Sequence, residues 1–215
     1  MEEQTPIQGI VSRLETLYPD ASLELAYKNP FELLIAVILS AQCTDERVNQ
    51  VTGTLFERYP TPAALAAAPL ESVEEIVRPT GFYRNKAKAV KGCAERVVLD
   101  HGGEVPKTME ALVRLPGVGR KTAAMVLGNA YGIQEGIAVD THALRVSQRL
   151  GIAREKTPDA VESRLMTLVP RHKWTWFSNA LILHGRRVCT AKKPSCSRCA
   201  LAEWCAYARD GAKSG

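Results

Sequence analysis

The 215-residue sequence has no apolar run that approaches the ~20 residues needed to span a membrane. Its first six residues are acidic and polar. They lack the basic-then-apolar layout of a secretory signal and the arginine-rich character of an organellar transit peptide. These absences exclude the membrane-spanning classes and predict an intracellular protein. Because no organelle-type extension precedes the first helical pattern, a prokaryotic cytoplasm is the expected location.

The sequence also has no convincing strand pattern, no low-complexity segment and no internal repeat. Apolar residues recur instead at helical spacing along nearly the whole chain, so the predicted fold class is all-α. Thr5 is the expected cap of the first helix, Asp45 of the third and Ser72 of a short later one. The longer predicted helices span residues 31–41, 85–101, 120–131, 141–150, 158–168 and 174–187.

The six cysteines are not distributed as a disulfide framework. Cys43 and Cys93 are isolated within helical patterns and are predicted to be small buried hydrophobes. The other four crowd the C-terminal end with the spacing C-x6-C-x2-C-x5-C, at Cys189, Cys196, Cys199 and Cys205. Four thiolates within seventeen residues can close around one metal centre. Zinc is the commoner guess from ligand count alone, although structural zinc sites usually have two C-x2-C pairs and only one is present here.

The formal net charge of +5 and sequence pI of about 8.9 suit a polyanionic partner. Positive charge is concentrated around the cysteines, where residues 186–198 include five basic residues and no acidic one: Arg186, Arg187, Lys192, Lys193 and Arg198. One interpretation is a solvated charge run. The other is a loop whose metal centre presents Lys192 and Lys193 to DNA phosphates. We favour the second, because basic residues on a rigid loop lose less entropy on binding.

Residues 112–142 contain the most informative motif of the sequence, two helical patterns joined by a short hairpin. A short amphipathic segment leads into Leu-Pro-Gly-Val-Gly at 115–119, and a longer helix is predicted from Arg120. The proline and glycines break the first helix, so no side chain covers the amides of the hairpin and of the next helix start. Such a helix N-terminus binds phosphate without reading bases. The candidate DNA contacts in this helix-hairpin-helix motif, at about residues 108–131, are Gly117, Val118, Gly119 and Arg120.

Two chemically reactive side chains accompany this pattern. Lys121 falls in the first turn of the second predicted helix, where the positive end of the helix dipole disfavours a cation. It is either a solvated lysine beside a phosphate or an amine held in the neutral form as a nucleophile. Asp140 follows an apolar run and precedes a helical pattern, so an N-cap would account for it. Together with the cysteine spacing, the pair favours the catalytic interpretation.

Leu115-Pro-Gly-Val-Gly-Arg-Lys-Thr-Ala123, Val139-Asp-Thr-His142 and the cysteine spacing resemble the endonuclease III family of DNA glycosylases, along almost the whole chain. The resemblance implies a two-domain helix-hairpin-helix glycosylase fold with the active-site cleft between the domains. A six-helix domain at 22–131 would be inserted into an iron–sulfur cluster domain formed by 1–21 and 132–215. The resemblance also implies that the four C-terminal cysteines hold a [4Fe–4S] cluster, and that a monovalent cation binds at the hairpin.

The implied activity is that of a DNA N-glycosylase and AP lyase in base excision repair. It would remove oxidised pyrimidines such as thymine glycol from duplex DNA and cleave the strand by β-elimination. Lys121 would form the Schiff base with the sugar, and Asp140 would stabilise the charge that develops. The resemblance points to Gln42 and Phe82 as wedges that fill the space of a flipped nucleotide. The family often has an aliphatic residue at the second position, and ordinary core or loop packing is the alternative for both.

Two other hypotheses differ in class. An adenine-mismatch glycosylase would share the hairpin, aspartate and cluster, but that branch usually lacks the lysine and has a further C-terminal domain. This chain stops ten residues after Cys205. A non-catalytic DNA-binding module would use the hairpin and the cysteine loop only as phosphate clamps. His142 and His184 are expected to be structural, and a nucleoid-associated monomer without a membrane partner is expected.

Overall fold

A computed structural model of the protein describes residues 6–211, which form α-helices, short 3-10 turns and loops. The helices are α1 (Pro6–Leu17), α2 (Pro30–Leu39), α3 (Asp45–Arg58), α4 (Pro62–Ala67), α5 (Leu70–Val77), α6 (Tyr83–His101), α7 (Met109–Leu112), α8 (Arg120–Tyr131), α9 (Thr141–Leu150), α10 (Pro158–Leu168), α11 (Trp174–Arg187) and α12 (Ala206–Gly211). No β-strand occurs within this range, so the all-α prediction is confirmed. No helix of the described part is both long and apolar enough to cross a membrane.

Side-chain caps define several helix starts, though not always at the predicted residue. α2 begins after Asn29, whose side chain accepts a hydrogen bond from the Glu32 amide at 2.9 Å. The prediction of Asp45 as a cap is wrong. Thr44 caps α3 by accepting a hydrogen bond from the Arg47 amide at 3.3 Å, and Asp45 is the first helical residue. A carboxylate there still favours the helix, because it lies at the positive end of the dipole.

The prediction of Ser72 as a cap is also wrong. α5 begins at Leu70 directly after Pro69, and Ser72 lies inside the helix. The proline ring presets the backbone of Pro69 at φ −59°, so the chain turns into the helix before it reaches the serine. The predicted cap Thr5 lies outside the described residues.

The described residues divide into two compact units. One comprises Leu23–Glu135 and contains α2 to α8, of which α7 is a single turn. The other comprises the described parts of Met1–Ser22 and Gly136–Gly215, with α1 and α9 to α12. Each unit has its own hydrophobic core. The boundaries expected from the family, 22–131 with 1–21 and 132–215, stay a prediction, as does the role of each domain.

The core of the Leu23–Glu135 unit is organised around α2. Every residue from Phe31 to Leu39 is buried, and the helix packs against α3, α6 and α8. Burial of one aliphatic side chain contributes about 1.5–3 kcal/mol, so this helix strongly stabilises the arrangement of its neighbours. Two of those neighbours belong to the candidate site, because α8 carries Lys121 and α6 begins directly after Phe82.

In the other unit, α1 packs against α11 and against the 3-10 turn Ala202–Trp204. The backbone of Gly9 lies so close to the Trp204 ring that an added Cβ would be 2.6 Å from Cε2. Arg13 forms an ion pair with Glu203 at 3.7 Å, and its guanidinium carbon lies 5.9 Å from the centre of the indole ring. Since Trp204 directly precedes Cys205, α1 supports the segment that carries the last cysteine.

Gly9→Ala is expected to lower the free energy of unfolding by about 1–3 kcal/mol, because the new methyl would overlap the Trp204 ring. Gly53→Ala is the matched control. Gly53 lies inside α3 with nothing within 4 Å of an added Cβ, so alanine should raise the free energy of unfolding by about 0.5–1 kcal/mol. Urea unfolding measures both variants. Equal effects would contradict the close packing of α1 on the indole.

Candidate functional site

The hairpin predicted between two helices lies at residues 113–119, between α7 and α8. Gly117 has a φ of +77°, a conformation that glycine adopts without steric cost. A Cβ at this position would also lie 3.0 Å from Ala89 Cβ and 3.1 Å from Ile38 Cγ2. Both the backbone conformation and the close approach of the hairpin to α2 and α6 therefore require glycine here.

α8 begins without a side-chain cap. Its N-cap residue is Gly119, and no side chain accepts a capping hydrogen bond from the first turn. Gly119 and Arg120 are exposed, and nothing of the described chain lies within 4 Å of an added Cβ at Gly119. Uncovered amides at the positive end of a helix dipole bind anions. The phosphate contact of this hairpin and the expected monovalent cation stay predictions. Val118 is buried and its amide donates to the Leu115 carbonyl at 3.1 Å, so the structure does not support the predicted DNA contact at Val118.

Lys121 is the second residue of α8 and is exposed. Its ammonium group makes no hydrogen bond or ion pair with another described residue. The neighbouring Arg120 differs, because its guanidinium donates to the Glu135 carbonyl at 3.2 Å. The Lys121 amine is thus accessible to a ligand at the α8 N-terminus, while the Arg120 side chain is already partly engaged.

Asp140 is the N-cap of α9. Its Oδ1 accepts hydrogen bonds from the amides of His142 at 2.8 Å and Ala143 at 2.7 Å. The capping interpretation considered from the sequence is therefore correct for this carboxylate. Both bonds use Oδ1, and the half-exposed side chain retains Oδ2 for another contact. Capping holds the carboxylate in one orientation, so it is compatible with a chemical role.

Gln42 and Phe82 share a feature that the sequence did not reveal. They are the two non-glycine residues of the described chain with positive φ, at +52° and +47°. Both are exposed, Phe82 by 67%, so neither belongs to the core. Each such conformation costs of order ~1–3 kcal/mol and persists only where the surrounding structure maintains it. Strained, exposed turns are common at binding sites, and the wedge role of these two residues stays a prediction.

The four C-terminal cysteines line one cavity. Burial raises the pKa of the Cys199 thiol, and the nearby sulfurs of Cys205, Cys189 and Cys196 raise it further. None of the six cysteines forms a disulfide. Cys93 is buried in α6 as predicted, whereas the prediction of Cys43 as a buried helical residue is wrong. Cys43 is half-buried in the loop between α2 and α3, because α2 ends at Leu39.

The lining of this cavity provides the four thiolates that a metal centre requires. A zinc ion would hold four sulfurs about 2.3 Å from one point. Within residues 6–211, no three His, Cys, Asp or Glu side chains are placed to hold one metal ion. A [4Fe–4S] cluster binds its four thiolates on separate irons. Four cysteines that line one cavity fit such a cluster, in which each thiolate binds its own iron.

His184 lies between the cysteine cavity and Tyr18, the residue that follows α1. Its Nδ1 lies 3.2 Å from the Tyr18 hydroxyl, and its Nε2 lies 3.5 Å from the Cys199 sulfur. Burial lowers the pKa of His184 to about 4, so the ring is neutral at pH 7 and has one N–H. Burial also raises the pKa of the Tyr18 hydroxyl. Both ring nitrogens of His184 thus have a partner, which supports the expectation of a structural histidine.

Two arginines of α9 hold the segment that follows the first cysteine. Arg149 donates to the Thr190 carbonyl at 2.8 Å and to the Ala191 carbonyl at 2.9 Å, and its Nη1 lies 3.4 Å from the Cys189 sulfur. Arg145 donates through Nε to the Cys189 carbonyl at 3.0 Å. Because these bonds are made by planar guanidinium groups in fixed directions, they restrain the backbone of the segment.

Lys192 and Lys193 are exposed on this restrained segment, and the Thr190 hydroxyl donates to the Lys193 carbonyl at 2.7 Å. Sequence reasoning attributed the rigidity of the segment to a metal centre alone. It missed Arg145 and Arg149, whose partners lie about forty residues further along the chain. The available signal was their i, i+4 spacing on one face of a predicted helix.

Comparison with known protein families gives two matches. Residues 35–171 match the HhH-GPD superfamily base excision DNA repair protein family. Residues 189–205 match the iron–sulfur binding domain of endonuclease III. The first match includes the hairpin, Lys121 and Asp140, and the second begins and ends at the first and last cysteines of the C-terminal set.

Individual proteins are similar over nearly the whole chain. Endonuclease III of Synechocystis sp. is 51% identical over 196 residues, which cover 91% of this chain and 90% of that protein. A non-covalent endonuclease III–DNA complex superposes with a TM-score of 0.92 at 42% identity, over 98% of this chain and 100% of the other. A trapped endonuclease III–DNA covalent intermediate superposes with a TM-score of 0.91 at 43% identity, over 98% of this chain and 100% of the other.

Arg149→Met is expected to accelerate loss of the iron–sulfur cluster by about tenfold, because it removes the bonds that hold the Cys189 segment. The visible absorption of the purified protein, followed after addition of an iron chelator, measures this rate. Arg154→Met is the matched control, since Arg154 is exposed just beyond the same helix. Equal rates of loss in the two variants would show that the arginine contacts do not stabilise the cluster loop.

Proposed function

This chain belongs to the HhH-GPD superfamily of base excision DNA repair proteins, and we propose that Lys121 and Asp140 carry its DNA glycosylase and AP lyase activity. The protein is an endonuclease III-type enzyme with a [4Fe–4S] cluster, and its partner is duplex DNA. One observation carries the assignment of the nucleophile. Lys121 presents an exposed amine in the first turn of an uncapped helix that follows the hairpin.

Binding begins with the DNA backbone. The exposed amides at Gly117, Gly119 and Arg120 bind a phosphate, with a monovalent cation completing the contact. Lys192 and Lys193 bind further phosphates from the loop that the arginines and the cluster restrain. These contacts release counterions and supply affinity that does not depend on sequence. They position the enzyme on duplex DNA before any base is recognised.

A base inside the duplex cannot reach an amine until it leaves the stack. Flipping costs a few kcal/mol, and less for a damaged base that stacks poorly. Gln42 and Phe82 fill the space that the nucleotide leaves. Their exposure and their positive φ support this role, because strained backbone conformations cluster at binding sites. An aromatic ring serves as such a wedge as well as an aliphatic side chain does.

The chemistry follows from a lysine nucleophile. The unprotonated Lys121 amine bonds to the sugar C1′ while the bond from C1′ to the base breaks, and the base departs with the electron pair. Asp140 stabilises the positive charge that develops on the sugar and accepts a proton from the attacking amine. Capping by Oδ1 keeps the carboxylate oriented, and Oδ2 makes the contact with the reacting groups.

The same intermediate leads to strand cleavage. Ring opening of the sugar gives an imine between Lys121 and C1′, which acidifies the hydrogen on C2′. Loss of that proton expels the 3′ phosphate by β-elimination, and water then hydrolyses the imine to release the lysine. A glycosylase that activates water forms no imine and leaves the strand intact. The presence of Lys121 therefore favours a bifunctional enzyme over the adenine-mismatch type.

The substrates are oxidised pyrimidines such as thymine glycol, in keeping with the endonuclease III relatives. A single chain contains Lys121, Asp140 and all four cysteines, so the enzyme acts as a monomer. Its substrate is chromosomal DNA, which places it at the nucleoid in a prokaryotic cytoplasm. The cluster supplies a covalent framework that holds the C-terminal cysteines together, and no step of the base removal passes through it.

Asp140→Asn is expected to slow base release from a thymine glycol duplex by about 10²–10⁴-fold at saturating enzyme, because the charge is lost. Asparagine caps helices as well as aspartate does, so the free energy of unfolding should change little. Single-turnover base release and strand incision, with urea unfolding as the control, measure both effects. An unchanged rate would restrict Asp140 to capping. An intact duplex with the wild-type enzyme would favour a non-catalytic DNA clamp.

A further inference from the structure

Lys86 is a buried lysine that the proposed reaction does not use. It lies in the first part of α6, and only 6% of its surface is exposed. Its Nζ donates to the Thr80 carbonyl at 2.8 Å. Lysine is rarely buried so deeply without a strong reason, because its ammonium group is costly to remove from water. An apolar side chain of similar length would fill the same space at a lower desolvation cost.

Thr80, the hydrogen-bond partner of Lys86, lies two residues before Phe82. Thr80 is the last residue of the 3-10 turn Arg78–Thr80, and its hydroxyl donates to the Val77 carbonyl at 2.8 Å. Two residues with positive φ follow, Gly81 at +70° and Phe82 at +47°. A cation at the C-terminal end of a helical turn is favourable, because that end carries partial negative charge. Lys86 therefore stabilises the end of the turn immediately before the strained backbone of Phe82.

The helix that carries Lys86 also packs against α2, which precedes Gln42. Burial lowers the pKa of Lys86, and the Cys43 sulfur raises it. Cys43 follows Gln42 in the loop after α2, and its amide donates to the Ser40 carbonyl at 3.1 Å. α6 packs against both α2 and the 3-10 turn. The helix that carries Lys86 thus packs against the elements that precede both positive-φ residues.

We propose that Lys86 is a positioning residue that holds the Phe82 turn in the arrangement needed for insertion into the duplex. This inference rests on the proposed function, in which both side chains occupy the space of the flipped nucleotide. Lys86 does not touch DNA in this account. It acts through the backbone carbonyl of Thr80.

The test is a double-mutant cycle on the cluster-loaded full-length enzyme. Lys86→Met keeps the length of the side chain and removes its donor and charge. It is introduced into the wild type and into the Gln42→Ala/Phe82→Ala background. Single-turnover base release from a thymine glycol duplex is measured at saturating enzyme, below the unfolding temperature of each variant. Lys88→Met removes the same charge from an exposed position of α6 and is the matched control.

In the wild-type background, Lys86→Met should slow base release by about tenfold, while Lys88→Met changes it by less than about twofold. In the background without the two wedge side chains, Lys86→Met should change the rate by less than about twofold, because contacting or coupled residues are non-additive. If Lys86→Met does not fold, Lys86→Gln takes its place, since glutamine retains an N–H donor on a shorter side chain.

An equal slowing by Lys86→Met in both backgrounds would overturn the proposal and make Lys86 a residue of general stability. A slow Gln42→Ala/Phe82→Ala enzyme with a fully active Lys86→Met enzyme would also overturn it, while leaving the wedge role intact. If the wild-type enzyme released no base, the proposed function would fail and this inference would fall with it. Fluorescence of a 2-aminopurine placed beside the lesion reports flipping directly and should fall in parallel with base release.

Discussion

The first amides of a helix have no partner within the helix, and two helices that are consecutive in the sequence meet that requirement in different ways. α8 has glycine as its N-cap and leaves its amides uncovered at the end of the hairpin. At the start of α9, the Asp140 side chain accepts hydrogen bonds from two of the first amides. The uncovered helix start is suited to a phosphate and carries Lys121. The capped one holds a carboxylate in a single orientation. The proposed chemistry depends on this difference.

The loops that carry Gln42 and Phe82 illustrate a different constraint, because a strained backbone must be maintained by its surroundings. Gln42 and Phe82 adopt positive φ without the steric freedom of glycine. Thr80 and Lys86 stabilise the turn before Phe82, and α2 is fixed by burial along its whole length. The candidate site therefore combines exposed functional side chains with buried residues that fix their backbone. The same division appears at the cysteine loop, where Arg149 restrains the segment that exposes Lys192 and Lys193.

Local patterns predicted the parts of this fold that depend on neighbouring residues. The hairpin, the start of α8 at Arg120 and the end of α9 before Gly151 follow from proline, glycine and helical spacing, and the structure has them at the predicted residues. The caps at Asp45 and Ser72 were wrong, because Thr44 and Pro69 offered an equally local alternative one to three residues earlier. In such cases the sequence does not determine which side chain reaches the amide.

Other features could not be read from the sequence because they join distant residues. His184 meets Tyr18 across 166 positions, and Arg149 meets Thr190 across 41. Lys86 bonds to Thr80 only six positions away, yet a basic residue near a helix start gives no indication of burial. The positive φ of Gln42 and Phe82 is likewise a product of the tertiary structure. Their identity as candidate wedges came from the family resemblance, and their backbone conformation came from the fold.

The central claim is that the Lys121 amine forms the covalent bond to DNA. Reaction with a thymine glycol duplex in the presence of borohydride would reduce the imine to a stable secondary amine. Digestion and mass spectrometry of the trapped enzyme would then locate the sugar remnant. The account predicts the remnant on Lys121 and no trapped adduct with Lys121→Ala. A remnant on another lysine, or base release without any adduct, would contradict it.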